Sequence, residues 1–297
     1  MQHVYLQLKK KFGICRNGEL ERKLHRIVFC DLMYFFYKKF NKGESKMQAY
    51  FSEFIGTLIL ILLGNGVVAN VVLRKTKGNS SGWIVITAGW GFAVAIAAYI
   101  TGWMGGAHLN PAVTIALASS GLFEWSQVPG YIISQMLGAM AGMLVVYLNY
   151  KLHYDETSNG EDVRGTFCTA PAIRSNLYNF ICEFTGTFVL LIGIRGITYS
   201  EVFKTTFQSS GGEIIGTVGI MGSFLVGILV WAIGLSLGGT TGYAINPARD
   251  LAPRIVHAIL PMKNKIDSDW SYAWIPVLAP ILGGVFGSLV FDFIIKL

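Results

Sequence analysis

The chain has 297 residues, of which 53% are hydrophobic and only 14% charged, with a mean hydropathy of +0.50. An ordinary soluble domain carries about 25% charged residues, so these values exclude a water-soluble globular protein: there is too little polar surface to cover the apolar mass. A formal charge of +7 would by itself suggest a nucleic-acid partner, but residues 1–46 hold 11 Lys and Arg against four acidic residues while the remainder balances 13 against 13, so the body is neutral and no nucleic acid is expected.

Residues 1–46 read as a basic leader. Its short apolar run Leu32-Met33-Tyr34-Phe35-Phe36-Tyr37, followed by Lys38 and Lys39, suits an interfacial segment drawn to anionic lipid. The codons of Lys42-Gly43-Glu44-Ser45-Lys46, directly before Met47, can spell a ribosome-binding site, and the expectation is that Met47 is the start and the leader is not part of the mature protein. The apolar run that follows is too long for the core of a signal peptide and has no small-residue cleavage site after it.

Six apolar stretches come next, at about 48–73, 83–103, 129–150, 177–198, 216–237 and 272–295. At 1.5 Å per residue each is long enough to cross a hydrocarbon core of roughly 30 Å. Two further apolar segments begin at His108-Leu109-Asn110-Pro111-Ala112 and Ala244-Ile245-Asn246-Pro247-Ala248 and run on for about ten residues, roughly half a bilayer. In each, Asn stands where an N-cap accepts from early backbone N–H groups, and Pro at the first helical position gives up only a donor that has no partner there.

The two halves echo each other. Glu53-Phe54-Ile55-Gly56-Thr57 opens the first span and Glu183-Phe184-Thr185-Gly186-Thr187 the fourth, and Asn-Pro-Ala follows the second and the fifth. Three spans per repeat is an odd number, so the second repeat enters the membrane from the opposite side and the half-helices approach each other from opposite faces. The predicted fold is an all-α membrane protein of six transmembrane helices and two re-entrant half-helices in two inverted repeats. Repeat one covers 47–150, a connecting loop 151–176, and repeat two 177–297.

Two half-helix N-termini meeting at mid-membrane present two positive dipole ends to one point, which repels cations. The side-chain amides of Asn110 and Asn246 are expected to use their oxygens for capping and to keep their N–H₂ groups free for a neutral solute.

Gly105-Gly106-Ala107-His108-Leu109-Asn110-Pro111-Ala112-Val113-Thr114 and Gly242-Tyr243-Ala244-Ile245-Asn246-Pro247-Ala248-Arg249-Asp250 resemble the paired signatures of the major intrinsic protein family, the aquaporins and glycerol facilitators, over about 48–296. Asp250, with Arg254 and Pro276-Val277, resembles the glycerol-conducting branch. The resemblance implies a passive channel in the cell membrane for glycerol, other small uncharged solutes and water, with 47–297 as the channel domain. It also implies a homotetramer with both termini cytoplasmic, no cofactor, no metal and no catalysed reaction. By motif offset the family's narrowest point falls on Trp90, Gly234, Tyr243 and Arg249. Trp90 and Tyr243 would give an apolar corner for a C–H edge and Arg249 several donors for a hydroxyl edge. Gly234 is expected to leave the aperture wide, where water-only filters carry histidine. Tyr243 departs from the usual Phe and puts the solute preference in question.

Glu53 and Glu183 lie inside apolar spans, where a carboxylate needs donors. In the resemblance they brace the re-entrant loops. A proton relay would need more titratable groups than these two and His108 provide. His108 reads as a loop-bracing or pore-lining neutral imidazole, because no second His or Cys stands at ligand spacing. The cysteines at 15, 30, 168 and 182 form no C-x-x-C pair. Gly138 and Gly142, and Gly283, Gly284 and Gly287, have the spacing that lets membrane helices approach closely. Arg74, Lys75 and Lys77 would fall in an external loop, so only the leader satisfies the positive-inside rule. The alternatives are a water-selective pore and, in another class, an ion-coupled transporter with broken helices, which would need further intramembrane acids.

Overall fold

The computed structural model describes residues 46–199 and 220–297. The leader lies outside the described residues except for Lys46, which begins the first helix. In chain order the helices are α1 (Lys46–Val72), α2 (Trp83–Gly105), α3 (Pro111–Ser119), α4 (Val128–Asn149), α5 (Lys151–Glu156), α6 (Gly160–Gly165), α7 (Asn176–Tyr199), α8 (Ile220–Leu237), α9 (Pro247–Ile259) and α10 (Ile275–Ile294). Helices α1, α2, α4, α7 and α10 are long and apolar enough to cross a membrane. Helix α8 is the described part of the expected fifth span, whose residues 216–219 lie outside the described residues. The expected connecting loop contains the short helices α5 and α6.

The half-helices begin as their sequences require. Asn110 caps α3 by accepting the N–H of Ala112 at 2.9 Å, and Asn246 caps α9 by accepting those of Ala248 at 3.0 Å and Arg249 at 3.3 Å, with Pro111 and Pro247 next in line. Helix α3 has nine residues and α9 has 13, longer than expected. The extra turn of α9 carries His257, which is buried and finds a partner in Ser268 of the neighbouring loop, as Arg254 one turn earlier does in the Ser268 carbonyl.

Packing follows the repeat. Helix α1 lies against α2 and α4, and α7 against α8 and α10; α2 packs on α8 between the repeats, α3 on α10, and α9 on α4, so each half-helix is seated against the other repeat. Glycines set the distances. A methyl at Gly138 would collide with the Phe54 carbonyl and one at Gly142 would lie 2.5 Å from that of Leu58. In the second repeat Gly283 meets the Phe184 carbonyl in the same way, and a methyl at Gly287 would lie 2.6 Å from that of Phe188. Between the repeats Gly91 and Gly227 face each other's carbonyls reciprocally. With little hydrophobic drive between helices in lipid, close backbone contact of this kind supplies the cohesion.

Large apolar side chains cover the outside instead of the inside alone. Phe92, Ile96, Ile100 and Trp103 of α2 and Leu278, Leu282, Phe286 and Phe293 of α10 are all exposed. Contiguous apolar flanks of this kind belong against lipid or another apolar surface, and the protein is a multi-pass membrane protein.

Candidate functional site

The two half-helix N-termini meet and are tied together. The Asn110 amide Nδ2 donates to the Ile245 carbonyl oxygen at 2.8 Å, and the Asn246 Nδ2 donates to the Leu109 carbonyl oxygen, also at 2.8 Å. This corrects the expectation of free amides: one hydrogen of each N–H₂ group is spent across the repeat interface, and one remains. A side chain that both caps its own helix and pins the opposite loop leaves a single donor per asparagine.

The residues before each motif are bent into the left-handed region, at Ala107 (φ 49°), Leu109 (φ 53°), Tyr243 (φ 38°) and Ile245 (φ 43°). For residues with a Cβ such backbone is costly and must be held from outside. A buried carboxylate does so in each repeat. Glu53 accepts the N–H groups of His108 and Leu109, both at 2.7 Å, and the Gln135 side chain at 2.7 Å. Glu183 accepts those of Ala244 and Ile245, both at 2.9 Å, and the Thr241 hydroxyl at 2.7 Å. Both glutamates are completely buried, and three donors apiece replace the water they have lost. The carbonyl oxygens of Ala107, His108, Tyr243 and Ala244 accept no hydrogen bond among the described residues.

His108 is half-buried, with its Nδ1 3.2 Å from the Thr114 hydroxyl and its ring against Phe123 and Tyr131, at 4.7 and 4.9 Å between centroids. The Thr114 hydroxyl also receives Gln135 at 2.9 Å, so histidine and carboxylate share one network.

Trp90, Gly234, Tyr243 and Arg249 come together at one end of the bundle. The Arg249 guanidinium lies over the Trp90 ring, 4.1 Å from its centroid, and donates no hydrogen bond to any described residue. A guanidinium stacked on an aromatic face keeps its N–H edge available. The Trp90 indole N–H and the Tyr243 hydroxyl are buried without protein partners. Gly64 of α1 makes room for Trp90, since a methyl there would collide with the indole. At Gly234 the structure departs from the expected open space. The ring of Tyr243 fills it, and a Cβ at 234 would lie 2.7 Å from the ring Cζ and 2.9 Å from its hydroxyl. The glycine thus seats the tyrosine.

Asp250 stands apart from this group. It is completely buried and pairs with Arg254, whose Nε is 2.8 Å from one carboxylate oxygen, while the other oxygen accepts the N–H and the hydroxyl of Thr169 at 2.7 and 2.6 Å. Arg254 continues to the carbonyls of Thr169 at 2.9 Å, Ser268 at 2.6 Å and Asp269 at 3.1 Å. The pair therefore bolts the loop 166–175 and the loop 260–274 to α9, next in sequence to Arg249. Burial pushes the Asp269 carboxyl up, but hydrogen bonds from Arg174 and Ser271 outweigh this and hold it below its usual value. Sequence reasoning missed Thr169 because a lone threonine in a polar loop carries no signal until the fold brings it under Asp250. It also missed the pair of buried Arg195 in α7 with half-buried Asp292 in α10, at 2.5 Å, which joins two helices at the end of the bundle opposite Arg254.

Comparison with known proteins agrees with this architecture. The family model described as Major intrinsic protein matches residues 40–291. A probable glycerol uptake facilitator protein of Thermotoga maritima is 52% identical over 248 residues, 84% of this chain and 100% of its own length. The glycerol uptake facilitator protein of Streptococcus pneumoniae is 54% identical over 246 residues, 83% of this chain and 99% of its own. The X-ray structure of the aquaglyceroporin from Plasmodium falciparum superposes with a TM-score of 0.72 at 33% identity, covering 84% of this chain and 97% of that one. With inverted repeats, two capped half-helices meeting head to head, and a family match spanning nearly all the described helices, the chain belongs to the major intrinsic protein family.

Proposed function

We propose that the protein is a passive channel that conducts glycerol, other small uncharged solutes and water and rejects ions and protons. The observation that carries this is the constriction: one wall is aromatic, Trp90 and Tyr243, and the other is the hydrogen-bonding edge of Arg249, stacked on Trp90 and unspent on protein. A linear polyol has an edge of C–H groups and an edge of hydroxyls, and matches both walls. Beyond the constriction, the unpaired carbonyls of Tyr243, Ala244, Ala107 and His108 and the remaining N–H of Asn246 and Asn110 offer successive acceptors and donors to a solute that has shed its water. The fixed charge of Arg249 and the two positive helix ends oppose cations and protons. The solutes named for the similar facilitators of T. maritima and S. pneumoniae support glycerol over a water-selective pore.

In the same reading Trp90, Gly234, Tyr243 and Arg249 select, the two Asn-Pro-Ala motifs form the pore centre, and Glu53, Glu183 and His108 brace the loops. Asp250 acts by anchoring, not by touching solute. The channel sits in the plasma membrane with both termini cytoplasmic and assembles as a homotetramer, for which the exposed flanks of α2 and α8 supply apolar surface.

Stopped-flow light scattering on proteoliposomes, with glycerol and water gradients side by side, tests the function. Glycerol entry well above that of empty vesicles is expected, without any ion gradient. Water passage with glycerol excluded would establish the water-selective alternative, and a requirement for an ion gradient would establish a coupled transporter.

A further inference from the structure

The Tyr243 ring rests in a slot at the C-terminal end of α8. Its floor is formed by Gly234 and Gly238, one turn apart, and a methyl at Gly238 would collide with the ring just as one at Gly234 would crowd it. A third wall comes from outside the four constriction positions. Trp83, the first residue of α2, meets the Tyr243 ring edge-on, with 5.9 Å between centroids and 77° between planes. Its indole Nε1 also donates to the carbonyl oxygen of Gly234 at 3.1 Å. Trp83 is thus fastened to Gly234, one of the two residues that make the slot.

The ring is buried, a member of the apolar core, and no hydrogen bond fixes it. The Tyr243 hydroxyl has no protein partner, and the backbone behind it lies in the left-handed region after Gly242 (φ 80°). The position of an aromatic ring without a hydrogen bond is decided by the surfaces it touches. Two of those surfaces are glycines, which offer a floor and no grip, and Trp83, partly exposed at the rim, supplies an aromatic edge beside them.

We propose, resting on the channel reading above, that Trp83 is a positioning residue for the constriction: by clamping the Tyr243 ring into the Gly234–Gly238 slot it sets the cross-section and thereby the largest polyol that passes. Trp83 is 39% exposed, so its loss opens volume beside the ring without exposing a sealed core. The tyrosine can then lean into that volume, and the aperture bounded by Trp90 and Arg249 widens. A longer, bulkier polyol gains more from this than glycerol does.

The experiment compares Trp83→Ala, Trp83→Phe and the unaltered full chain in proteoliposomes, measuring glycerol and xylitol permeability per incorporated protein. Trp83→Ala is expected to raise the xylitol-to-glycerol ratio by about threefold or more, the scale of one lost aromatic edge contact. Trp83→Phe keeps a ring edge, loses the N–H, folds with less disturbance and is expected to raise the ratio less. A higher ratio in either variant supports the clamp. A ratio equal to that of the unaltered protein in both, with the two fluxes falling together, overturns it, because a purely structural tryptophan would lower all transport alike. If the unaltered protein conducts no glycerol in these vesicles, the channel reading itself fails, which is a different result from an unchanged ratio.

Discussion

Asn110 donates its side-chain amide to the carbonyl oxygen of Ile245 at 2.8 Å, and Asn246 returns the bond to Leu109 at the same distance. Each asparagine therefore has two structural duties, capping its own half-helix and fixing the other repeat's loop, in addition to the single N–H it can show to a solute. Two segments with almost no sequence of their own in common at these positions, His108-Leu109 and Ala244-Ile245, end in one shared geometry because the same pair of bonds closes both.

Replacing Asn110 or Asn246 by Ala removes a cap, worth about 1 kcal/mol, and leaves a buried carbonyl unpaired, at about 1–3 kcal/mol. Both single variants should lower the thermal midpoint in detergent. Because each amide pins the opposite loop, the double variant should depart from additivity. Strictly additive losses would mean that the two bonds are energetically independent.

Arg249→Val should keep the fold, since the guanidinium gives no hydrogen bond to any described residue, but it removes the only fixed positive side chain of the constriction. Proton leakage, followed with a pH-sensitive dye trapped in vesicles, is expected to rise while glycerol still passes. Unchanged proton rejection would show that the opposed helix dipoles suffice.

Asp250→Ala strands the guanidinium of Arg254, both being completely buried. Breaking a buried pair on one side costs about 3–5 kcal/mol, so large losses of folded protein after detergent extraction are expected, with Asp250→Asn milder because it still offers one acceptor to Thr169. The exposed pair Lys75–Glu156 is the control: Lys75→Ala should change little. Equal effects at the two sites would contradict the anchoring role of Asp250.

Two glycines of helical interior should respond in opposite directions. At Gly138 an added methyl collides with the Phe54 carbonyl, whereas at Gly66 there is nothing within 4 Å. Gly138→Ala should destabilise by about 1–3 kcal/mol through overpacking, and Gly66→Ala should stabilise by about 0.5–1 kcal/mol through restricted unfolded-state freedom and better helix propensity. Thermal scans of the two variants that moved the same way would refute the packing account of Gly138.

The apolar spans, the paired Asn-Pro starts and the inversion of the repeats were legible in the residues, because span length, capping chemistry and an odd number of crossings are local or countable properties. The four residues of the proposed constriction were legible only through their offsets from the motifs. What each of them touches was not. Gly234 read as a residue without a side chain, and the structure adds that the Tyr243 ring packs on it; the asparagine amides promised free donors, yet each has given one hydrogen to the other repeat. Asp250 stood out in the sequence as a mark of the glycerol-conducting branch, but its place in a buried pair holding Thr169 could not be read there. A sequence determines which segments enter the bilayer and which groups must find partners there. Which partner each finds depends on contacts between residues more than 80 positions apart, Asp250 with Thr169 and Asn110 with Ile245, and only the packed bundle brings them within hydrogen-bonding distance.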